Sequence, residues 1–200
     1  MLLDNGSQGG LPSREAAWEL LNEYTKGPGL LKHALAVEAA MCAHARRLGQ
    51  DEHAFGLVGL LHDFDYERWP NLTDHPFRGS EILEARGYPE WFRRGIQAHA
   101  PHTGVTRESD LEKSIFACDE LCGFLTACAL ITPAKSLIGL QVSSVRKRMK
   151  DKAFARNVNR DDIIQGAAGI GMELDAHLAF VLEAMSSIAP DLGLAGVTAP

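Results

Sequence analysis

The sequence predicts an all-α fold, organised as a single compact helical domain of about seven to nine helices. Apolar residues recur at helical spacing along most of the 200 residues, and almost no segment alternates apolar and polar residues as a half-buried strand does. Glycine, proline and helix-capping residues separate these helical segments. The composition, 46% hydrophobic and 23% charged, is that of an ordinary globular protein with a sizeable core.

Three helices are predicted in the first third of the chain. Ser13 is suited to cap the first helix, SREAAWELLNEYTK. The glycines and the proline at 27–29 are expected to end it. The second begins near Leu30 and stops at Gly49, a residue type that commonly follows a helix C-terminus. Asp51 is suited to cap the third, which carries the apolar segment AFGLVGLL.

The remaining helices are predicted from prolines and long apolar segments. Pro76 and Pro89 open a fourth and a fifth helix, PFRGSEILEAR and EWFRRGIQAHA. Residues 110–131 predict a long buried helix, and Pro133 is expected to start another that continues to residue 150. Residues 161–189 predict one last helix with a glycine-rich middle.

These helices define the expected domain organisation. Residues 1–12 are predicted to be a flexible N-terminal tail, because they are rich in glycine and polar residues. Residues 13–190 form the single domain, with a functional core at 30–131 and a helical extension at 133–190. Residues 191–200 are expected to be a C-terminal tail.

The charge and the apolar segments limit the partners. A net charge of −6 argues against general nucleic-acid binding, although it is compatible with local basic patches. No apolar run reaches the roughly 18 residues that cross a bilayer, and the N-terminus lacks the pattern of a signal peptide. The sequence therefore predicts a cytoplasmic protein without a membrane partner. Its four cysteines form no CxxC pair and are expected to be reduced.

Histidines and aspartates supply the candidate functional residues. Four of the eight histidines, His33, His62, His75 and His99, fall at helix ends or beside loops. His62 is followed at once by Asp63, at the end of the third helix. Beyond a helix end, one cation can contact both the imidazole and the carboxylate, and a helix C-terminus favours positive charge. The alternative is that the pair only ends a helix and that Asp63 is solvated.

Asp119 lies within the apolar segment IFACDELCGFL. A carboxylate in such surroundings is costly to bury unless it is paired with a cation or binds a metal. An exposed position on an amphipathic helix, together with Glu112 and Glu120, is the alternative.

Together these residues resemble the H…HD…D signature of the HD superfamily of metal-dependent phosphohydrolases. The segment HDFDYERWPNLTDHPFRGSEIL resembles the HDIG-type branch, in which H-P-x-x-G-x-x-I-L follows the doublet. IQAHAPH resembles the next histidine element and FACDEL the closing aspartate element, so the resemblance spans residues 33–124. The chain departs from the HDIG pattern at 64–65, and it has two residues between His99 and His102 where that branch has adjacent histidines.

The resemblance implies a helical domain of the HD type that binds one or two divalent ions of Mn, Fe, Co, Ni, Mg or Zn. Four residues, His33, His62, Asp63 and Asp119, would hold the first ion. Asp63 would bridge to a second ion held also by His75 and His99. The implied activity is hydrolysis of a phosphoester, a nucleotide or other small phosphorylated metabolite, by a metal-activated water.

Further residues are candidates for catalysis and substrate binding. Asp63, as the bridging ligand, is the first catalytic candidate, and Asp65 and Glu67 are candidates for a general acid or base. The candidates for substrate contact are Lys32, Arg78, His102, Lys135 and Lys147, the last within the basic segment 146–152. Two alternatives stay open: a non-catalytic HD module that binds nucleotide and metal for signalling, and a di-iron HD oxygenase. A homodimer is also left open.

Overall fold

The computed structural model describes residues 10–196. Within that range the secondary structure consists of ten α-helices and a 3-10 turn at Pro101–Thr103, and the only β-type pairing is an isolated bridge between Ser136 and Ala195. The all-α class predicted from the sequence is confirmed. Over the same range, none of the helices is both long enough and apolar enough to cross a membrane.

The helices follow one another along the chain with connections of up to 15 residues, the longest between the third and the fourth helix. Their bounds are α1 (Arg14–Tyr24), α2 (Pro28–Leu48), α3 (Glu52–Leu61), α4 (Phe77–Ala85), α5 (Glu90–Gln97), α6 (Asp110–Leu130), α7 (Val142–Met149), α8 (Arg160–Gly169), α9 (Leu174–Ser187) and α10 (Ala189–Leu192).

The predicted helix caps in the first part of the chain are confirmed. Ser13 Oγ accepts a hydrogen bond from the N–H of Ala16 at 3.2 Å, and the carboxylate of Asp51 accepts two from the first turn of α3. Gly49 ends α2 in the left-handed region, with φ of 66°. Each cap satisfies backbone groups that a helix end leaves without an intrahelical partner.

The chain divides into two compact units, up to Ile115 and from Phe116 onward. The first contains α1–α5 and the start of α6, and the second contains the rest of α6 and α7–α10. The division falls inside α6, not after Ile131, where the sequence analysis placed the end of the functional core.

In the first unit, α3 is the central helix and packs against α1, α2 and α5. All its residues from Ala54 to Leu61 are buried. Gly59 allows the closest approach to α2: a Cβ at this position would lie 2.9 Å from the Cα of Glu38 and from the carbonyl oxygen of Val37. The residues that follow α3 are therefore fixed to the core of this unit.

The prediction of a helix that starts at Pro133 is wrong for the first half of that segment, because α7 begins only at Val142. Lys135 and Gly139 have φ of 48° and 83°, which a right-handed helix does not allow. The N–H of Leu137 instead donates to the carbonyl of Leu194 at 2.9 Å.

The single last helix predicted over 161–189 is also wrong. It is two helices, α8 and α9, separated at Gly171, whose φ is 67°. Because glycine adopts this conformation at no steric cost, the glycine-rich middle of the segment is a break.

The predicted tails lie partly outside the described residues, which exclude 1–9 and 197–200. Within the described part, Leu11 is 2% exposed and belongs to the core, although the sequence analysis included it in the tail. Leu192 and Leu194 are buried as well, so the predicted C-terminal tail at 191–200 also contributes side chains to the core.

The start of α6 is held by a capping box and an ion pair. Ser109 Oγ accepts from the N–H of Glu112, and Glu112 Oε2 accepts from the N–H of Ser109 at 3.0 Å and of Glu108 at 2.7 Å. The other oxygen, Oε1, accepts from Arg94 Nε of α5 at 2.6 Å. Glu112 is therefore not on an exposed stripe; it is buried and ties α6 to α5.

Glu112→Gln is expected to lower the free energy of unfolding by about 1–3 kcal/mol, because charge-assisted hydrogen bonds become neutral or are lost. Glu108→Gln is the matched control. It makes the same change at an exposed neighbour and should shift the free energy by less than about 0.5 kcal/mol. Chemical denaturation near neutral pH measures both variants.

The same interaction makes the effect depend on pH. Burial by itself would raise the pKa of the Glu112 carboxyl, but the N–H groups of Ser109 and Glu108 and the Arg94 guanidinium lower it below its ordinary value. A lowered folded-state pKa stabilises the fold above the ordinary glutamate pKa of about 4.3, and this stabilisation is lost as the pH falls through the folded value. The difference in the free energy of unfolding between wild type and Glu112→Gln should therefore become smaller in acid. A constant difference down to about pH 3 would contradict this role of Glu112.

Candidate metal centre

The candidate metal centre lies in the first unit, where α3 ends. His62 is the C-cap residue of α3 and is fully buried. Its Nδ1 lies 2.8 Å from the carbonyl oxygen of Gly59, one turn earlier in the same helix. Because a carbonyl only accepts hydrogen bonds, Nδ1 carries the proton and Nε2 is left to face the adjacent Asp63.

Two further histidines are held in the same way. His75 Nδ1 donates to Asp65 Oδ1 at 2.8 Å, and His99 Nδ1 donates to the carbonyl of Ile96 at 2.6 Å. Both side chains are buried. Each ring is therefore fixed by the hydrogen bond at its Nδ1, and its Nε2 is the atom that is available to coordinate a metal ion.

The three Nε2 atoms converge on the carboxylate of Asp63. The distances are 3.2 Å from His75 and 3.3 Å from His99 to Oδ1, and 3.5 Å from His62 to Oδ2. Asp63, His75 and His99 each place a potential ligand atom within 4.8 Å of the others. Side chains from three separate parts of the first unit thus meet at one carboxylate.

This arrangement requires positive charge. His75 Nε2 and His99 Nε2 are only 3.2 Å apart, and two unprotonated lone pairs at that distance repel each other. Burial by itself would raise the pKa of Asp63, but His62 and the hydrogen bonds from His75 and His99 hold it well below its usual range. Burial would also lower the pKa of His75, yet its contacts with Asp63 and Asp65 raise it to about 9. Protons can supply this charge, and a metal cation can replace them.

Asp65 positions His75 and does not contact the solvent, being fully buried. One oxygen accepts from His75 Nδ1, and the other accepts from the N–H of Gly79 at 2.8 Å. The acid or base role predicted for Asp65 does not fit this position, because both oxygens are already hydrogen-bonded inside the protein. Its role is that of a carboxylate partner that fixes an imidazole of the candidate centre.

Gly79 permits that contact, and the sequence analysis did not single it out. A Cβ at this position would lie 2.8 Å from Asp65 Cγ and 3.0 Å from the ring of Phe64. Such distances are not tolerated against a buried side chain. The glycine four residues before the end of HPFRGSEIL was the available signal, since an isolated glycine in a helix often marks a close approach.

His33 extends the cluster from α2. Its ring centroid lies 5.1 Å from that of His62, which in turn lies 5.2 Å from that of His99. The structure thus brings five predicted ligands together in the first unit: His33, His62, Asp63, His75 and His99. Asp119 lies on α6 in the second unit, four residues after Ile115, and its role as a ligand stays a prediction from the sequence.

Glu67 has another role than the predicted acid or base. Its Oε2 accepts from the N–H of Lys26 at 2.6 Å and of Gly27, the N-cap residue of α2, at 2.9 Å. A carboxylate at a helix N-terminus stabilises the helix dipole. Glu67 therefore anchors the start of α2, the helix that carries His33.

Three of the predicted substrate-binding residues lie in the first unit. Lys32 is exposed on α2, next to His33 in the chain. Arg78 forms surface ion pairs with Asp74 and Glu81, which compete with any phosphate contact. His102 Nε2 donates to the backbone carbonyl of His75 at 2.8 Å, so this ring supports the centre from outside.

The other two, Lys135 and Lys147, lie in the second unit, so their predicted substrate role stays a prediction from the sequence.

The donors suit some cations better than others. Three imidazoles and one carboxylate form a nitrogen-rich set, which favours transition metals such as Mn, Fe, Co, Ni or Zn over Mg or Ca. The anchored tautomers and the demand for positive charge both fit such an ion. The structure therefore contains a possible metal site among residues that the sequence predicted.

Comparison with known proteins finds no significant match to a protein-family model, to a curated protein or to a solved structure.

Gly79→Ala is expected to lower affinity for a divalent transition metal by at least about tenfold, because the added Cβ displaces Asp65 and releases the His75 ring. Titration with Co²⁺, followed by its visible absorbance, measures the change. Gly29→Ala is the control, since no atom lies within 4 Å of its added Cβ. Equal affinities of the two variants would contradict the role given to Asp65.

Proposed function

We propose that this protein is a metal-dependent hydrolase of small phosphoesters of the HD type. The observation that carries the proposal is the convergence of three anchored imidazole Nε2 atoms on Asp63. The sequence resemblance described above supports it, because the same residues fill the histidine and aspartate positions of that pattern.

The proposed ligands divide into two overlapping sets. His33, His62, Asp63 and Asp119 would hold one cation, and Asp63, His75 and His99 would hold a second. Asp63 belongs to both sets, and its carboxylate already has one oxygen near His62 and the other near His75 and His99. This sharing supports two ions over one.

A bound divalent ion would supply a water molecule acidic enough to ionise near neutral pH and positive charge for the phosphoryl oxygens. The protein's own residues orient that chemistry. The buried hydrogen bonds of His62, His75 and His99 hold the imidazoles in place, so little reorganisation is needed on reaction. Tyr66 is 39% exposed and its ring lies edge-on to His75 with centroids 5.2 Å apart, so we propose it as an aromatic contact for the substrate.

The nitrogen-rich ligand set also supports the di-iron oxygenase as a second candidate, because iron is among the ions that imidazole favours. A panel of phosphoesters with added Mn²⁺, Co²⁺ or Mg²⁺ tests the first proposal by phosphate release. Substrate-dependent oxygen consumption by iron-loaded protein would instead identify the protein as the di-iron oxygenase. Nucleotide binding without either activity would identify a non-catalytic module.

Asp63→Ala and His62→Ala are each expected to abolish metal-dependent phosphate release and reduce bound metal to background, with helical content retained. Both changes remove a ligand without placing a larger group in the core. His53→Ala is the control, because His53 lies at the opposite end of α3 and contacts the carbonyl of Pro12. Undiminished turnover in either ligand variant would contradict the assignment.

Asp119→Asn is expected to weaken metal binding strongly, and to leave the metal-free protein as stable as wild type or more so. The reason is that the substitution removes a negative charge from a half-buried position in an apolar stretch of sequence while it keeps the shape of the side chain. Thermal melting of both proteins in chelator measures this. A drop in melting temperature as large as that of a core substitution would identify Asp119 as part of a structural ion pair.

A further inference from the structure

Positive charge is concentrated in one part of the second unit. Residues 146–160 contain seven of the chain's 20 Lys and Arg residues and only one of its 26 Asp and Glu residues. The dipole of α7 accounts for the three cations in its last turn, 146–148. Lys150, Lys152 and Arg156 lie beyond Met149, where that helix ends, and need another explanation.

These cations lie in the loop 150–159, between α7 and α8, and this loop is organised around Arg160, the first residue of α8. The guanidinium of Arg160 donates to the backbone carbonyls of Ala155 at 2.5 Å, of Val158 at 2.6 Å and of Phe154, and it lies 4.7 Å from the ring centroid of Phe124. Because the two terminal nitrogens of this rigid planar group donate to three backbone carbonyls, the loop has a defined shape. Its conformation is thus fixed by a residue other than the exposed cations.

Asp151 and Asn159 fix the two ends of the loop. Asp151 Oδ1 accepts from the N–H groups of Ala153 and Phe154, and Asn159 Oδ1 caps α8. The only acidic residue of the stretch is therefore engaged in a turn, and it is not available to neutralise the pocket described next.

The cations surround a cavity of about 690 Å³. Its polar lining includes the cations Lys150, Lys152, Arg156 and Arg160 against one acidic residue, Asp161, and its apolar lining includes Met149 and Ile164. This volume lies in the range of pockets that bind nucleotides and similar small molecules. The lining combines donors for an anion with aliphatic groups for an organic part.

Within residues 10–196, Lys150, Lys152 and Arg156 take part in no ion pair; the neighbouring Arg146 and Arg148 are the ones that contact carboxylates, those of Asp175 and Asp151. Like charges around a shared concave surface repel one another, and the field inside such a cavity attracts anions. A bound anion would remove the repulsion.

We propose that this cavity, the Arg160 loop pocket, binds a small organic molecule that carries two or more phosphate groups. The two ammonium groups and the guanidinium supply the donors, and Asn157 offers an amide. A long polyanion fits less well, because the other 185 residues contain 13 Lys and Arg against 25 Asp and Glu and would repel it. The pocket consists of second-unit residues only, so it is independent of the function proposed for the metal centre.

Calorimetric titration of the full chain with inorganic triphosphate tests the proposal, at physiological ionic strength and with a chelator present to stop metal-dependent turnover. The wild type should bind one triphosphate per chain. The double variant Lys152→Ser, Arg156→Ser should bind it at least about tenfold more weakly. Because both residues are exposed, the variant should fold, and its circular dichroism and melting temperature verify this.

A second double variant, Arg47→Ser with Lys113→Ser, removes the same net charge from the first unit and should change the affinity less than about twofold. Equal weakening in this control, or no saturable binding by the wild type, would overturn the proposal. A single-stranded oligodeoxynucleotide without terminal phosphates supplies the polymer comparison. Tighter binding of that oligonucleotide than of triphosphate, lost in the pocket variant, would assign the pocket to nucleic acid instead.

Discussion

The hydrogen bonds at histidine Nδ1 are the constraint on which the candidate centre depends. His62 and His99 donate to carbonyl oxygens three residues earlier in the chain, and His75 donates to the buried Asp65. These bonds select the tautomer and turn each Nε2 toward Asp63. Without them the same residues would be buried polar groups with no common direction. The fold determines them through α3, whose buried residues place His62 and Asp63 at a fixed point of the first unit.

The centre is also electrostatically incomplete by itself. The half-buried carboxylate of Asp63 contacts three imidazoles, and Nε2 of His75 lies 3.2 Å from Nε2 of His99. Such a cluster is stable only when it contains positive charge, as protons or as a metal ion. The same physical reasoning applies on a smaller scale to the Arg160 loop pocket, where the excess charge is positive and the missing partner is an anion. In both places the arrangement of charge within one unit indicates the sign of the ligand.

The sequence predicted those features that depend on local rules. Ser13, Gly49 and Asp51 mark helix ends because they satisfy backbone groups nearby in the chain, and each was predicted correctly. The histidines and Asp63 were predicted because their order and spacing resemble a known pattern. The helix from Pro133 and the uninterrupted helix over 161–189 were wrong, because the helical periodicity of side chains does not report left-handed φ at Lys135, Gly139 and Gly171. The positions of Asp65, Glu67 and Gly79 depend on contacts between distant segments, which a single sequence does not reveal.

We propose that the anchored imidazoles and Asp63 form a site for a divalent transition metal. Crystals grown with Co²⁺ or Mn²⁺, with anomalous diffraction recorded at the metal's absorption edge, test it most directly. We expect an anomalous peak about 2.0–2.2 Å from His75 Nε2, His99 Nε2 and a carboxylate oxygen of Asp63. Metal-loaded crystals with no peak among these three residues, and with the ion bound elsewhere, would contradict it.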